Sequence, residues 1–94
     1  MSKPEVELVY FDGCPNADEA RANLRAVMDD GSWREWNLSS ADTPDRVRRY
    51  GSPTVLVDGR DVTGEGGNTG GAMTCRADGA PSPVAIRKAL AGHG

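Results

Sequence analysis

The sequence predicts an α/β protein with a mixed four-stranded sheet flanked by helices on both faces, in the element order βαβαββα. Three observations carry that prediction. The apolar run Leu8-Val9-Tyr10-Phe11 breaks at Asp12-Gly13 and gives way to helical periodicity. A second run, Thr54 to Val57, ends in Asp58-Gly59, a strong hairpin signal. Thr43-Pro44 and Ser82-Pro83 each place a capping hydroxyl before a proline, the signature of a helix start.

Residues 5–11 read as the first strand, and its unbroken apolar stretch implies that both faces are covered. Pro15 suits a first helical turn, where its missing N–H is not needed, and Asn16 to Asp30 follows as helix. Ala17, Ala20, Leu24, Val27 and Met28 form its apolar stripe, while Asp18 and Glu19 sit in the first turn, where the helix favours negative charge. Trp33 to Leu38 is the second strand, with Trp36 and Leu38 expected on one face and Arg34 on the other. A short helix over 44–50 ends at Gly51. The third strand is 54–57, Arg60 to Thr63 is its hairpin partner, and 84–91 is a final helix with Ile86 and Leu90 inward. Residues 64–82 form a glycine-rich loop and 92–94 a frayed tail. The first β-α-β unit requires a parallel strand pair with a right-handed crossover, and the hairpin adds antiparallel strands.

The 94 residues fit a single domain, 1–94. A net charge of −3 and a pI near 5.0 exclude a nucleic-acid partner, which would need a clustered basic face. The basic run Arg46-Val47-Arg48-Arg49 is read as a solvated helix face. No stretch is long and apolar enough for a membrane span, and MSKPEVE lacks the apolar segment of a secretory signal, so the cytoplasm is the expected location. There, two cysteines point to thiol chemistry or metal affinity rather than to a permanent crosslink.

Cys14 sits where the first strand hands over to the first helix. A helix start stabilises a thiolate, the nucleophilic form of cysteine. Asp12, Asp18 and Glu19 oppose this, and no lysine or arginine lies within six residues, so a moderately acidified thiol is expected. Gly13 and Pro15 place it in an exposed turn. A two-thiol reductase motif would put a second cysteine at position 17, which is Ala17. Cys75 is the other thiol. The hairpin returns the fourth strand to the Cys14 end of the sheet, and Cys75 lies about eleven residues into the loop that follows. A glycine-rich tether of that length covers roughly 10–20 Å.

The element order, Gly-Cys-Pro-Asn at 13–16, Gly51-Ser52-Pro53-Thr54 opening the third strand, Cys75-Arg76 and the Gly-x-Pro-Ser before the last helix together resemble the thioredoxin-fold superfamily over residues 5–91. Within it, the chain is similar to small bacterial thioredoxin- or glutaredoxin-like proteins, a group sometimes associated with mercury or organomercurial resistance. The resemblance implies Cys14 as nucleophile. It also implies Pro53 as a cis-proline against that cysteine, with Gly13, Pro15, Ser52, Pro53 and Thr54 forming the substrate edge. Glutaredoxin-like proteins hold glutathione with basic residues, where this chain has aspartates.

Three readings stay open. Cys14 attacks a protein or small-molecule disulfide and Cys75 resolves the intermediate, with no cofactor. Alternatively, Cys14 and Cys75 bind a soft metal such as mercury or copper as two thiolates. Or the domain is a non-catalytic binding module. A monomer is expected in each case.

Other motifs carry less. The run GEGGNTGG follows a hairpin strand, not the first strand of a nucleotide-binding unit, and reads as a flap. His93 is the sole histidine and lies in the tail. Trp33 and Trp36 are expected in packing roles, Met73 as a gap-filler, and Arg76 either beside the Cys75 thiolate or simply at the surface.

Overall fold

The computed structural model describes residues 5–28, 31–48, 50–63 and 80–92. Their order is β1 (Val6–Tyr10), α1 (Pro15–Val27), β2 (Arg34–Asn37), a 3-10 turn (Asp45–Val47), β3 (Thr54–Val57), β4 (Arg60–Asp61) and α2 (Pro83–Ala91). The strands form one mixed sheet in the order β2-β1-β3-β4. β1 pairs with β2 in parallel and with β3 antiparallel, placing Val9 opposite both Trp36 and Thr54. β3 and β4 are antiparallel.

The turns follow from their residues. Asp58 and Gly59 both have positive φ, as a two-residue hairpin requires. The Asp58 N–H also donates to the Glu5 carbonyl, and its carboxylate accepts from the Glu5 N–H. α2 starts as its sequence dictates: Ser82 Oγ accepts from the Ala85 N–H ahead of Pro83.

Strand alternation gives the sheet two different faces. Val6, Leu8, Val55 and Val57 pack against Ala20 and Leu24 of α1 and Ile86 of α2. Val9 and Leu56 face the other way and meet Leu38, Val47 and Tyr50 from the β2–β3 connection. Both α-helices therefore lie on one face, which corrects the expectation of helices on both.

The expected helix at 44–50 is also corrected: among the described residues of that span, the only helical element is the 3-10 turn Asp45–Val47. Its signals are diverted. The Thr43 hydroxyl donates to the Asn37 carbonyl instead of capping a helix. Arg48 reaches back to the carbonyls of Leu38 and Ser40 at 3.3 and 2.9 Å. Both tie the connection to the exit of β2, and buried Tyr50 then pins it to the sheet. Arg46 and Arg48 thus do structural tasks, so the reading of a solvated basic helix face does not hold for them. α1 ends at Val27, short of Asp30, with the Met28 N–H bonded to the Leu24 carbonyl. β4 ends at Asp61 rather than Thr63, where the Asp61 carboxylate accepts from the Thr63 N–H and hydroxyl. No described helix is long and apolar enough to cross a membrane.

Candidate functional site

Cys14 is placed by three local features. β1 ends at Tyr10, and Asp12-Gly13 turns the chain, with Gly13 at a φ of 92° that other residues rarely adopt. The Cys14 N–H closes this turn on the Phe11 carbonyl. Pro15 then opens α1, which makes Cys14 its N-cap, with its carbonyl accepting from the Ala17 N–H at 3.1 Å. Cys14 therefore stands at the positive end of a 13-residue helix, just beyond the C-terminal end of β1.

Cys14 is 5% exposed. This corrects the expectation of an exposed turn: Gly13 and Pro15 are exposed, but the side chain between them turns inward. Its Sγ lies 3.6 Å from the Ser52 carbonyl oxygen, and Cys14 is not a free thiol in this structure. Ser52 is fully buried, its Oγ accepts from the Phe11 N–H at 3.3 Å, and the Ser52–Pro53 peptide bond is cis. The next residue, Thr54, donates its hydroxyl to the Gly51 carbonyl at 2.8 Å. Of the expected site residues, the structure thus brings together Gly13, Cys14, Pro15, Ser52, Pro53 and Thr54. Cys75 lies outside the described residues, as do Met73, Arg76 and His93.

β4 gives the direction of the chain up to Thr63. Its register, Leu56 with Asp61 and Val57 with Arg60, runs the chain back toward the start of β3, and the Val62 N–H bonds the Val55 carbonyl at 3.0 Å. The chain thus heads for the Cys14 end of the sheet at Thr63, as the hairpin reading expected.

A cavity of about 340 Å³ opens beside Cys14, lined among others by Tyr10, Asp12, Ala17, Asp18 and Arg21. Ala17 is buried at the position a second thiol of a Cys-x-x-Cys motif would occupy. The sequence places Arg21 on the polar side of α1 and does not signal a part in the Cys14 cavity, because it lies two helical turns beyond Cys14; its i,i+3 spacing from Asp18 was the available signal. Its guanidinium donates to both Glu35 carboxylate oxygens at 2.9 and 3.0 Å and to Asp18 at 3.0 Å. It lies 5.2 Å from the centre of the Tyr10 ring. Hydrogen bonding to Glu35 holds the guanidinium above its ordinary range, and the same bonds hold Glu35 below the usual carboxylate range. With Arg21 so engaged, exposed Asp12 and Asp18 keep the mouth of the cavity acidic.

A second ion pair lies across the sheet. Glu7, in the middle of β1, is fully buried on the face opposite the helices. Arg46 of the 3-10 turn donates to both of its oxygens at 3.1 and 2.5 Å, and the Trp36 indole N–H donates at 2.7 Å. Burial pushes this carboxyl up, but the bonds from Arg46 and Trp36 outweigh it and hold the group below its ordinary range. Arg34 and Arg46 both lie over the Trp36 ring, 5.5 and 5.9 Å from its centre. Arg34 is therefore on the Trp36 side of β2, contrary to expectation; residues two apart on a strand share a face.

Among the described residues, no three His, Cys, Asp or Glu side chains converge in a metal-binding group. Comparison with protein-family models, curated proteins and solved structures finds no match to this chain.

Proposed function

We propose that the chain is a thioredoxin-like thiol–disulfide oxidoreductase with Cys14 as nucleophile and Cys75 as a long-range resolving thiol. The observation that carries this reading is the meeting of Cys14, at the N-cap of α1, with the buried Ser52 carbonyl beside a cavity. The strand order β2-β1-β3-β4, with a cysteine after β1 and a cis-proline before β3, supports the thioredoxin-like topology.

In the first step the Cys14 thiolate attacks one sulfur of a substrate disulfide. A bond forms between Cys14 and that sulfur, the substrate S–S bond breaks, and the other sulfur leaves as a thiolate that takes a proton. The Cys75 thiolate then attacks Cys14 Sγ. The second substrate thiol is released, and the two protein sulfurs are joined. The substrate has gained two electrons and the protein has lost them, so turnover needs an external thiol or dithiol donor in the cytosol. The backbone at Ser52, Pro53 and Thr54 would carry substrate contacts, and the acidic mouth disfavours a substrate as anionic as glutathione.

The test is trapping. Cys75→Ser is expected to accumulate a mixed disulfide on Cys14 when a disulfide substrate is added, and Cys14→Ser to abolish reduction. Unchanged turnover in Cys75→Ser with nothing trapped would overturn the two-thiol mechanism. Unchanged turnover in Cys14→Ser would overturn Cys14 as the nucleophile, and absence of turnover in the unsubstituted chain would favour a binding module.

A further inference from the structure

Among the described residues that line the cavity beside Cys14, Arg21 is the one cation, and its donors are already taken. Its Nε and Nη2 fork onto both carboxylate oxygens of Glu35 at 2.9 and 3.0 Å, and its Nη1 donates to Asp18 at 3.0 Å. The two partners are unequal. The Asp18 side chain is 89% exposed and accepts a single bond from its own helix. The Glu35 side chain is 31% exposed and meets the guanidinium from β2 with both oxygens. It is itself fixed by the Trp33 indole N–H at 2.9 Å. A two-bond fork sets the position of a guanidinium, whereas a single exposed ion pair contributes little.

Glu35 does not line the cavity, yet it sets the charge that the cavity presents. With Arg21 committed to β2, a molecule entering beside Cys14 meets exposed Asp12 and Asp18 and no unengaged cation among the described residues. Exposed Arg25, one turn farther along α1, is attracted to the same Glu35 carboxylate and lies outside the lining. Removing the Glu35 charge would release two guanidinium nitrogens of Arg21 and take one negative charge from the surroundings.

We propose that Glu35 is a specificity-determining residue of the Cys14 cavity: by occupying Arg21 it bars anionic disulfides and leaves neutral and cationic ones as the substrate class. The inference rests on disulfide reduction as the function. The contacts that carry it, between Arg21, Glu35 and Asp18, do not depend on the state of the Cys14 sulfur. Glu35 touches no substrate; it acts through Arg21, from a different element of the fold.

The experiment compares three disulfides in single turnover with the chemically reduced chain: cationic cystamine, neutral hydroxyethyl disulfide and anionic dithiodipropionate. Glu35→Gln is expected to raise the rate with dithiodipropionate relative to cystamine by a factor of about 3–10, with the neutral disulfide unaffected. Adding Arg21→Gln should return that ratio toward the parent value, because the released cation is what receives the anion. Glu19→Gln removes an exposed carboxylate of α1 that does not line the cavity, and it should leave the ratio unmoved. An unchanged ratio in Glu35→Gln, an equal rise in Glu19→Gln, or no return on adding Arg21→Gln would each overturn the proposal. A second readout needs no thiol. S-methylglutathione, an anionic thioether that cannot be reduced as a disulfide is, is titrated into the oxidised chain while the Trp33 indole signal is followed by NMR. Glu35→Gln is expected to bind it about threefold or more tightly than the unsubstituted chain. Equal affinity, or binding by neither, would overturn the proposal. If the unsubstituted chain reduces none of the three disulfides, the proposed function fails, and this titration still decides the role of Glu35.

Discussion

The two faces of the sheet carry the same small piece of chemistry in different surroundings. On each, an arginine forks onto both oxygens of a glutamate, a tryptophan N–H donates to that glutamate, and the guanidinium lies over an aromatic ring. Arg21 holds Glu35 with help from Trp33 on the helix face. Arg46 holds Glu7 with help from Trp36 on the other. The Glu35 side chain is 31% exposed and the Glu7 side chain is fully buried. Water can replace the partner of Glu35 but not that of Glu7. The contacts are alike, and burial alone makes only the Glu7 cluster a fastening of the fold.

The most direct way to break the comparison is to remove one arginine partner from the buried pair. Arg46→Ala leaves an uncompensated buried carboxylate, and a loss of about 3–5 kcal/mol in urea unfolding is expected. A loss below 1 kcal/mol would mean that water reaches Glu7. The helix face gains its stability from nondirectional packing instead. Leu24→Ala there should cost about 2–5 kcal/mol, comparable in size but with no dependence on pH.

Acid titration separates the two clusters further. Both glutamates are held below their ordinary value of 4.5 in the folded chain. A carboxyl lowered on folding stabilises above its unfolded value, and that stability is lost as pH falls through its folded value. The urea midpoint should therefore fall as the solution is taken below about pH 4.5. Glu7→Gln should flatten that fall more than Glu35→Gln does. An equal flattening would show the two sites to be energetically alike. The smallest expected effect is that of Glu35→Gln at neutral pH, about 1 kcal/mol or less, because a partly exposed pair is screened by solvent.

The functional region and the hairpin differ in how far local signals reach. Asp58-Gly59, Ser82-Pro83 and Gly13-Cys14-Pro15 each set a turn or helix start through their own sterics and hydrogen bonds, and each lies where its residues direct. Strand alternation also divides Leu8 and Val55 from Val9 and Leu56 without further information. Thr43-Pro44 carried an equally clear local signal and failed, because Asn37 took the hydroxyl and Arg46 found a partner in Glu7, 39 positions away.

The sequence by itself determined the strands, the two α-helices, the hairpin and the place of Cys14 at a helix start, since each depends on residues within a turn or two of one another. Only the tertiary structure decided that Cys14 is buried beside the Ser52 carbonyl, that Arg21 reaches its cavity, and that Glu7 is a buried charge rather than one more strand residue. Those outcomes depend on which distant groups share a dry space, and the energy of a charge or a thiol is set by that space more than by its neighbours in the chain.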